Sequence, residues 1–451
     1  MRALMLVLFA ALLVTGCSGP AGVESVADLV IRGGQLLDMT SNEPSVRPIK
    51  GLVISGGKIT RIIAADSSEQ LPDALEVIEA GTNIVMPGLI DAHIHFRPGV
   101  PEPALYYGVT TVMDTGPCGA PCGDDPNGFI IGHAKTVNAP DADGPTMYYT
   151  GNKLDGPDGI EALEVYRLQS LEEIPEKIDE LVELGASGIK VEENLPPEYR
   201  RKIMEEANRR GLPVVGHSRD ARESISVGMK FIEHMNPIAR SVATDLEKAA
   251  EEADPSDQMD FSKVEEFIQL MVEEEVYLNP TLLGRYGAMS PWAQEFYEED
   301  QQLLETELFA KVPKEIAARY LDRGRPARDM SPEEKAKREK GYANVQRFIR
   351  EFSEQGGLLL AATDMGNSRM PGIAIHREMQ LFVDAGVASY KALLGATRYP
   401  AEMMKKADLI GTLEEGKQAD ILVLGSNPAD DIAASKDLRY VIRKGKIVRA
   451  P

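Results

Sequence analysis

The sequence predicts an α/β fold: a (β/α)8 barrel carrying a small β-sandwich assembled from both chain ends. Three observations predict it. Between residue 88 and about 404, eight short apolar runs with the character of buried strands alternate with helical stretches. Before and after this region lie only β-like segments, punctuated by the Gly-Gly and Lys-Gly pairs that mark hairpins. Neither terminal group has enough strands for a core of its own, so the two are expected to join.

The chain opens with MRALMLVLFAALLVTGCSG, one positive charge followed by an apolar run. Residues 1–16 read as a secretory signal, too short and too early for a spanning helix of the mature chain. Val14-Thr15-Gly16-Cys17 resembles a bacterial lipobox. That resemblance implies lipidation of Cys17, with residues 17–27 as a tether and an extracytoplasmic location on a bacterial membrane. No later segment has the ~20 apolar residues that spanning requires, so membrane contact is expected only through the lipid.

Residues 28–87 supply DLVIRGGQLLDM, GLVISGGKITRIIA and LEVIEAGTNIVMPG, and residues 405–451 supply QADILVLGSNP and LRYVIRKGKIVRA. These are the expected strands of the composite sandwich. The barrel runs, in order, are PGLIDAHIH, TTVMDTG, TMYYTG, SGIKVE, LPVVGHS, KFIEHM, VYLNPTL and LLLAATDMG. Among the helical stretches between them, PPEYRRKIMEEANRRG aligns Tyr199, Ile203, Met204 and Ala207 in one stripe and stops at Gly211. The interval from the first run to the second is short for a full helix. At about 287–352 an insertion rich in Glu, Lys, Arg, Ala and Gln reads as the seventh barrel helix with solvated additions, or as a lid over the barrel mouth.

A formal charge of −22 argues against a nucleic-acid partner and says little about a small-molecule substrate. Of three cysteines, Cys17 is assigned to lipid. Cys118 and Cys122, in GPCGAPCGD, could close a disulfide outside the cytoplasm; free thiols and a metal site are the alternatives.

The chemistry is read from the strand ends. Residues two apart on a strand share a face, so His93 and His95 project together. Lys190 ends the fourth run, His217 the fifth, His234 the sixth and Asp364 the eighth. All would stand on the rim where parallel strands converge. A lysine inside an apolar strand is hard to explain otherwise, because burying an unpaired ammonium is costly.

With these residues in place, the chain resembles the amidohydrolase superfamily. GLIDAHIH matches that superfamily's opening signature; GVTTVMDTG and GTLEEGKQADILVL are further points of likeness. IEHMNP, NPTLL and IHREMQLFVDAGV are similar to its imidazolonepropionase-related and prolidase-like dipeptidase branches. The resemblance implies two divalent metal ions, with zinc the default and manganese, cobalt or iron as alternatives. It implies that His93, His95 and Asp364 hold one ion and His217 and His234 the other, bridged by Lys190 carboxylated by CO2. It further implies a metal-bridging hydroxide attacking a carbonyl, with Asp364 moving the proton.

Arg97, after His-x-His, resembles an arginine that grips a substrate carboxylate in dihydroorotases and hydantoinases; a salt bridge to Asp91 or Glu102 is the structural alternative. Tyr149, like Tyr148, could donate to an oxyanion or simply pack. Asp91 reads as a support for a ligand histidine or a strand-end cap, His376 as a packing residue or a support for Asp364, and His133 as ordinary surface in a polar loop. The expected function is hydrolysis of a peptide or N-acyl amino acid amide, most sharply of Xaa-Pro dipeptides. A cyclic amide or lactone comes next. A one-metal deaminase fits less well, because strand five reads His217-Ser218-Arg219-Asp220 where that class has His-x-x-Glu. A barrel retained only for binding and self-association of the chain both stay open.

Overall fold

The computed structural model describes residues 26–117, 123–139, 141–326, 330–366 and 369–451. The three cysteines, and with them the expected lipid site at Cys17 and the Cys118–Cys122 pair, lie outside these residues.

The chain begins with strands β1 (Ala27–Asp38), β2 (Ser45–Ser55), β3 (Lys58–Ala64) and β4 (Ala74–Pro87). Gly56 and Gly57, at φ 59° and 73°, make the tight β2–β3 turn that needs two residues in the left-handed region.

The barrel follows as β5 (Leu89–Ile94), β6 (Val109–Asp114), β7 (Thr146–Tyr149), β8 (Lys153–Asp155), β9 (Val165–Arg167), β10 (Ile189–Val191), β11 (Val214–Gly216), β12 (Phe231–Glu233), β13 (Tyr277–Asn279) and β14 (Leu358–Leu359). These strands pair in parallel within three groups, β5-β6-β7, β9-β8-β10-β11 and β12-β13-β14. The ring closes where the chain beyond β14 returns to β5. There Asp364 N donates to His93 O at 2.8 Å and His95 N to Met365 O at 2.8 Å. β5, β6, β10, β11 and β12 are buried along their whole length, which is why each reads as a continuous apolar run.

Barrel strand three is longer than its sequence suggests. β7 pairs with β6 and ends at Tyr149; after a break, β8 continues the strand and pairs with β10 through Leu154 and Val191. The first crossover is only the helix Pro101–Tyr106, as its short interval requires. The helix Pro332–Glu354 is the barrel's own link from β13 to β14, burying Tyr342, Val345, Phe348, Ile349 and Phe352 along one face. The added segment within 287–352 is therefore the part before it, with helices Ala293–Leu303 and Lys314–Gly324. That part packs Phe309, Val312 and Tyr320 against Met370 and Ile373.

The chain ends with β15 (Ile421–Leu424), β16 (Leu438–Arg443) and β17 (Lys446–Arg449). Both ends form one seven-stranded sheet, in the order β17-β16-β15-β4-β1-β2-β3. It curls so that β3 returns to the approach of β15, with Ile59 N donating to Lys417 O at 2.9 Å. Leu29, Ile31, Leu52, Ile54, Val85, Ile421 and Val423 fill the space inside. His376 ties the barrel to this region: its ring lies 2.9 Å from both Tyr107 O and Ser435 Oγ. No helix among the described residues is long and apolar enough to cross a membrane.

Candidate metal centre

His93 lies on β5 and His95 just beyond it, both buried. His95 Nδ1 is 2.8 Å from Gly116 O; a carbonyl only accepts, so Nδ1 carries the hydrogen and Nε2 keeps its lone pair. Nε2 lies 3.3 Å from Asp364 Oδ1. His93 Nε2 is buried without a hydrogen-bond partner among the described residues, 3.9 Å from the same oxygen. On the other side of that ring, Asn279 Nδ2 is 2.8 Å from Nδ1, while the buried Asn279 Oδ1 has no partner among the described residues. Turning this amide over would let Oδ1 accept from Nδ1–H and leave the Nε2 lone pair free.

A second group faces the first. His217 donates from Nδ1 to Glu192 Oε2 at 2.5 Å, and His234 Nδ1 is 2.6 Å from Thr281 Oγ1. Their Nε2 atoms then stand 3.2 Å apart. The His217 Nε2 keeps its lone pair; with Thr281 Oγ1 accepting from His234 Nδ1–H the His234 Nε2 does too, and two lone pairs at that distance repel unless a proton or a cation lies between them. His93, His95 and Asp364 can hold one ion and His217, His234 and Glu233 another. The donor set fits: each imidazole of the second group is oriented through Nδ1, presenting Nε2 to a shared space, and a carboxylate belongs to each group.

Lys190 is fully buried on β10, but it is not unpaired: its ammonium donates to Glu233 Oε2. Glu233 Oε1 lies 3.6 Å from His93 Nδ1, and Oε2 lies 3.6 Å from His217 Nε2, so this carboxylate stands between the two groups. Glu192 joins Lys153 at 3.2 Å to His217. Gly216 lets β11 approach this close, since a Cβ there would stand 2.1 Å from Val191 O.

Three residues at the centre adopt left-handed backbone without being glycine: His234 (φ 65°), Thr281 (φ 47°) and Asp364 (φ 55°). Each conformation costs on the order of 1–2 kcal/mol, and such strain collects at functional sites. Burial holds the His93 and His234 rings well below the usual histidine range. Burial would raise the Asp364 carboxyl, but the three histidines His95, His93 and His234 more than reverse it. Glu192 is likewise pulled below the carboxylate range by His217, Lys190 and Lys153, against burial. Burial pushes Asp91 up to about 7.

The centre therefore gathers His93, His95, Lys190, His217, His234 and Asp364, and adds Glu192, Glu233, Asn279 and Thr281, which the sequence reading missed. Other expectations need correction. Tyr149 is not at the centre: its hydroxyl donates to Leu184 O at 2.8 Å, and its carbonyl accepts from Ser187 N ahead of β10. Because strand three runs on through β8, the side chain it sends toward the centre is Lys153, 3.2 Å from Glu192, while Asp155 accepts from Gly156 N and Ile160 N of the following loop. Tyr148 lies instead beside Lys406. Neither acid expected beside Arg97 takes that role: Glu102 pairs with Lys311, while Asp91 accepts from Thr363 N and Oγ1 at 3.1 and 2.5 Å. Arg97 is buried, donates to Phe96 O at 3.0 Å, and its charge acts on Asp114 and on Tyr320 of the added helices. Asp91 joins strand one to strand eight and also accepts from the main-chain N of His93 at 3.3 Å, so it supports that histidine through its backbone. His376 does not support Asp364. His133 lies on the helix Pro126–Val137 rather than in a loop, its ring centroid 4.2 Å from Phe129 and 4.6 Å from Phe96.

The family model described as "Amidohydrolase family" matches residues 159–448. Among solved structures, the chain is similar to a Xaa-Pro dipeptidase with methionine bound in its active site (TM-score 0.64, 19% identity, covering 93% of this chain and 99% of that one). It is also similar to a putative prolidase from Bifidobacterium longum (TM-score 0.64, 21% identity, 94% and 96%) and to the A. niger ochratoxinase (TM-score 0.64, 20% identity, 94% and 96%). At these identities the likeness is one of fold. An adenine deaminase of Paracoccus denitrificans (strain Pd 1222) is 35% identical over 99 residues, which is 21% of this chain. The matched stretch spans only 16% of the length of that relative.

Proposed function

Because the chain belongs to the amidohydrolase family of metal-dependent hydrolases acting on carbon–nitrogen bonds, we propose that it cleaves the amide bond of a dipeptide or an N-acyl amino acid. The observation that carries the reading is the facing pair of His217 and His234 Nε2 atoms, opposite a His93–His95–Asp364 group. The fold likeness to a Xaa-Pro dipeptidase and a prolidase supports dipeptides as the first substrates to try.

His93, His95 and Asp364 would hold one divalent cation, and His217 and His234 the other. When bound, such cations supply Lewis acidity, which acidifies water and polarises a carbonyl oxygen. Gly116 O, Glu192 and Thr281 fix the rings of His95, His217 and His234, so the ligand nitrogens need not reorganise on binding. Asp364 would take a proton from the attacking water on a carboxylate oxygen and pass it to the leaving nitrogen. Arg97, buried just past His95, is the candidate to receive a substrate carboxylate through its planar fork. Carboxylation of Lys190 would place its new anion beside Glu233 in place of the present ion pair. Two anions so close persist only with cations between them, so CO2 uptake and metal uptake should be mutually dependent.

A hydrolysis screen of dipeptides including Xaa-Pro, N-acyl amino acids, cyclic amides, lactones and adenine, with Zn2+, Mn2+ or Co2+ and bicarbonate, tests the reading. Turnover confined to adenine, or none on any amide, would overturn it. The tether reading of Cys17 adds a membrane-anchored location outside the cytoplasm to this proposal.

A further inference from the structure

We propose that Glu378, on the helix that follows strand eight, positions one histidine of each metal group by clamping the backbone at Leu282 and Leu283. The inference rests on the metal reading above. Glu378 is fully buried on the helix Ile373–Asp384. Its Oε1 accepts from Leu282 N and its Oε2 from Leu283 N, both at 2.7 Å. Burial pushes this carboxyl up to about 8, against the pull of the Leu283 and Leu282 N–H groups, and the two donors it meets are both main-chain groups of one short segment.

That segment leads to the centre. Immediately before it, Thr281 sits at φ 47°, which a β-branched residue adopts only when its surroundings hold it there. The two bonds to Glu378 fix the following peptides and so hold Thr281 in place. In that conformation Thr281 Oγ1 reaches His234 Nδ1 at 2.6 Å. Two residues earlier, the Asn279 amide meets His93 Nδ1 at 2.8 Å, and Asn279 O accepts from His234 N at 2.7 Å. One stretch of main chain thus sets a ring in each group, and Glu378, touching neither ring, sets the stretch. It is a positioning residue.

The test is Zn2+ affinity, measured by chelator competition on the full chain, with the absorption of the Co2+-loaded protein as a second readout. In Glu378→Gln the amide keeps the shape but turns an N–H toward one backbone N–H. Zn2+ binding should weaken on the order of 10- to 100-fold, and the Co2+ spectrum should shift. On a Thr281→Val background the same substitution should have a smaller effect, because both act along one path. If Glu378→Gln yields no soluble protein, Glu378→Asp, whose shorter carboxylate reaches only one of the two N–H groups, takes its place with the same expectation. Wild-type affinity and spectrum in the variant, with only a lowered melting temperature, would reduce Glu378 to a structural brace and overturn the proposal. A wild-type chain that binds no metal would instead remove the reading beneath it.

Discussion

Acid should loosen the junction between the barrel and the two-ended sheet through His376. The buried ring faces Tyr107 O with Nε2 and Ser435 Oγ with Nδ1, each at 2.9 Å. A carbonyl can only accept, so Nε2 carries the hydrogen and Nδ1 accepts from the serine hydroxyl. Burial brings the pKa from the ordinary 6.5 to about 4; the Tyr107 carbonyl and Glu299 oppose this, and Lys436 and Arg449 add to it. Between those two values the unfolded chain binds more protons than the folded one, so stability rises with pH. The contribution is complete above the unfolded value of 6.5 and is lost as pH falls toward about 4. A gap of about 2.5 units at 1.36 kcal/mol each amounts to about 3 kcal/mol, an order-of-magnitude figure. Urea unfolding of wild type and His376→Gln from about pH 7.5 to about pH 4.5 reads it out, since other groups cancel in the difference. Glutamine has no such titration, so the wild-type midpoint should fall more steeply with acid. Parallel lines for the two proteins would refute the reasoning.

Lys190→Ala should abolish turnover and, by leaving Glu233 buried without its partner, cost about 3–5 kcal/mol of stability in denaturant unfolding. The double replacement Lys190→Met with Glu233→Leu should regain much of that stability and none of the activity. Tyr149→Phe should cost about 1 kcal/mol of stability and leave kcat/KM unchanged; a selective loss of kcat/KM would return Tyr149 to the substrate. Cys17→Ala should move the protein from the membrane to the soluble fraction of the producing cell, which fractionation and fatty-acid labelling would show.

The rim was legible where side-chain alternation held and illegible where the backbone broke it. His93 and His95 are two apart on one strand, and the same rule applied to Lys190 and Glu192 would have brought in Glu192. Glu233 escaped because alternation sets it opposite His234. The left-handed His234 turns its ring toward the centre as well, and no sequence pattern announces that. Tyr149 was misplaced because a strand interrupted at 150–152 looks like a strand that ends. The fold class itself followed from apolar runs buried on both faces. How the added helices seat on Met370 and Ile373 did not, because that contact joins distant segments through a few apolar side chains.

The seven-stranded sheet also carries a consequence for how the protein is made. β4 lies between β1, its neighbour from the first hairpin region, and β15, which pairs Leu422 with Met86. A ribosome delivers β4 and β15 roughly 340 positions apart, a separation at the slow, high-contact-order end of folding. Until the last strands emerge, β4 presents an open edge rich in valine and isoleucine, the kind of edge that recruits other chains. The sheet thus sets a deadline during synthesis: the whole barrel must be delivered before its first strands are safe from aggregation.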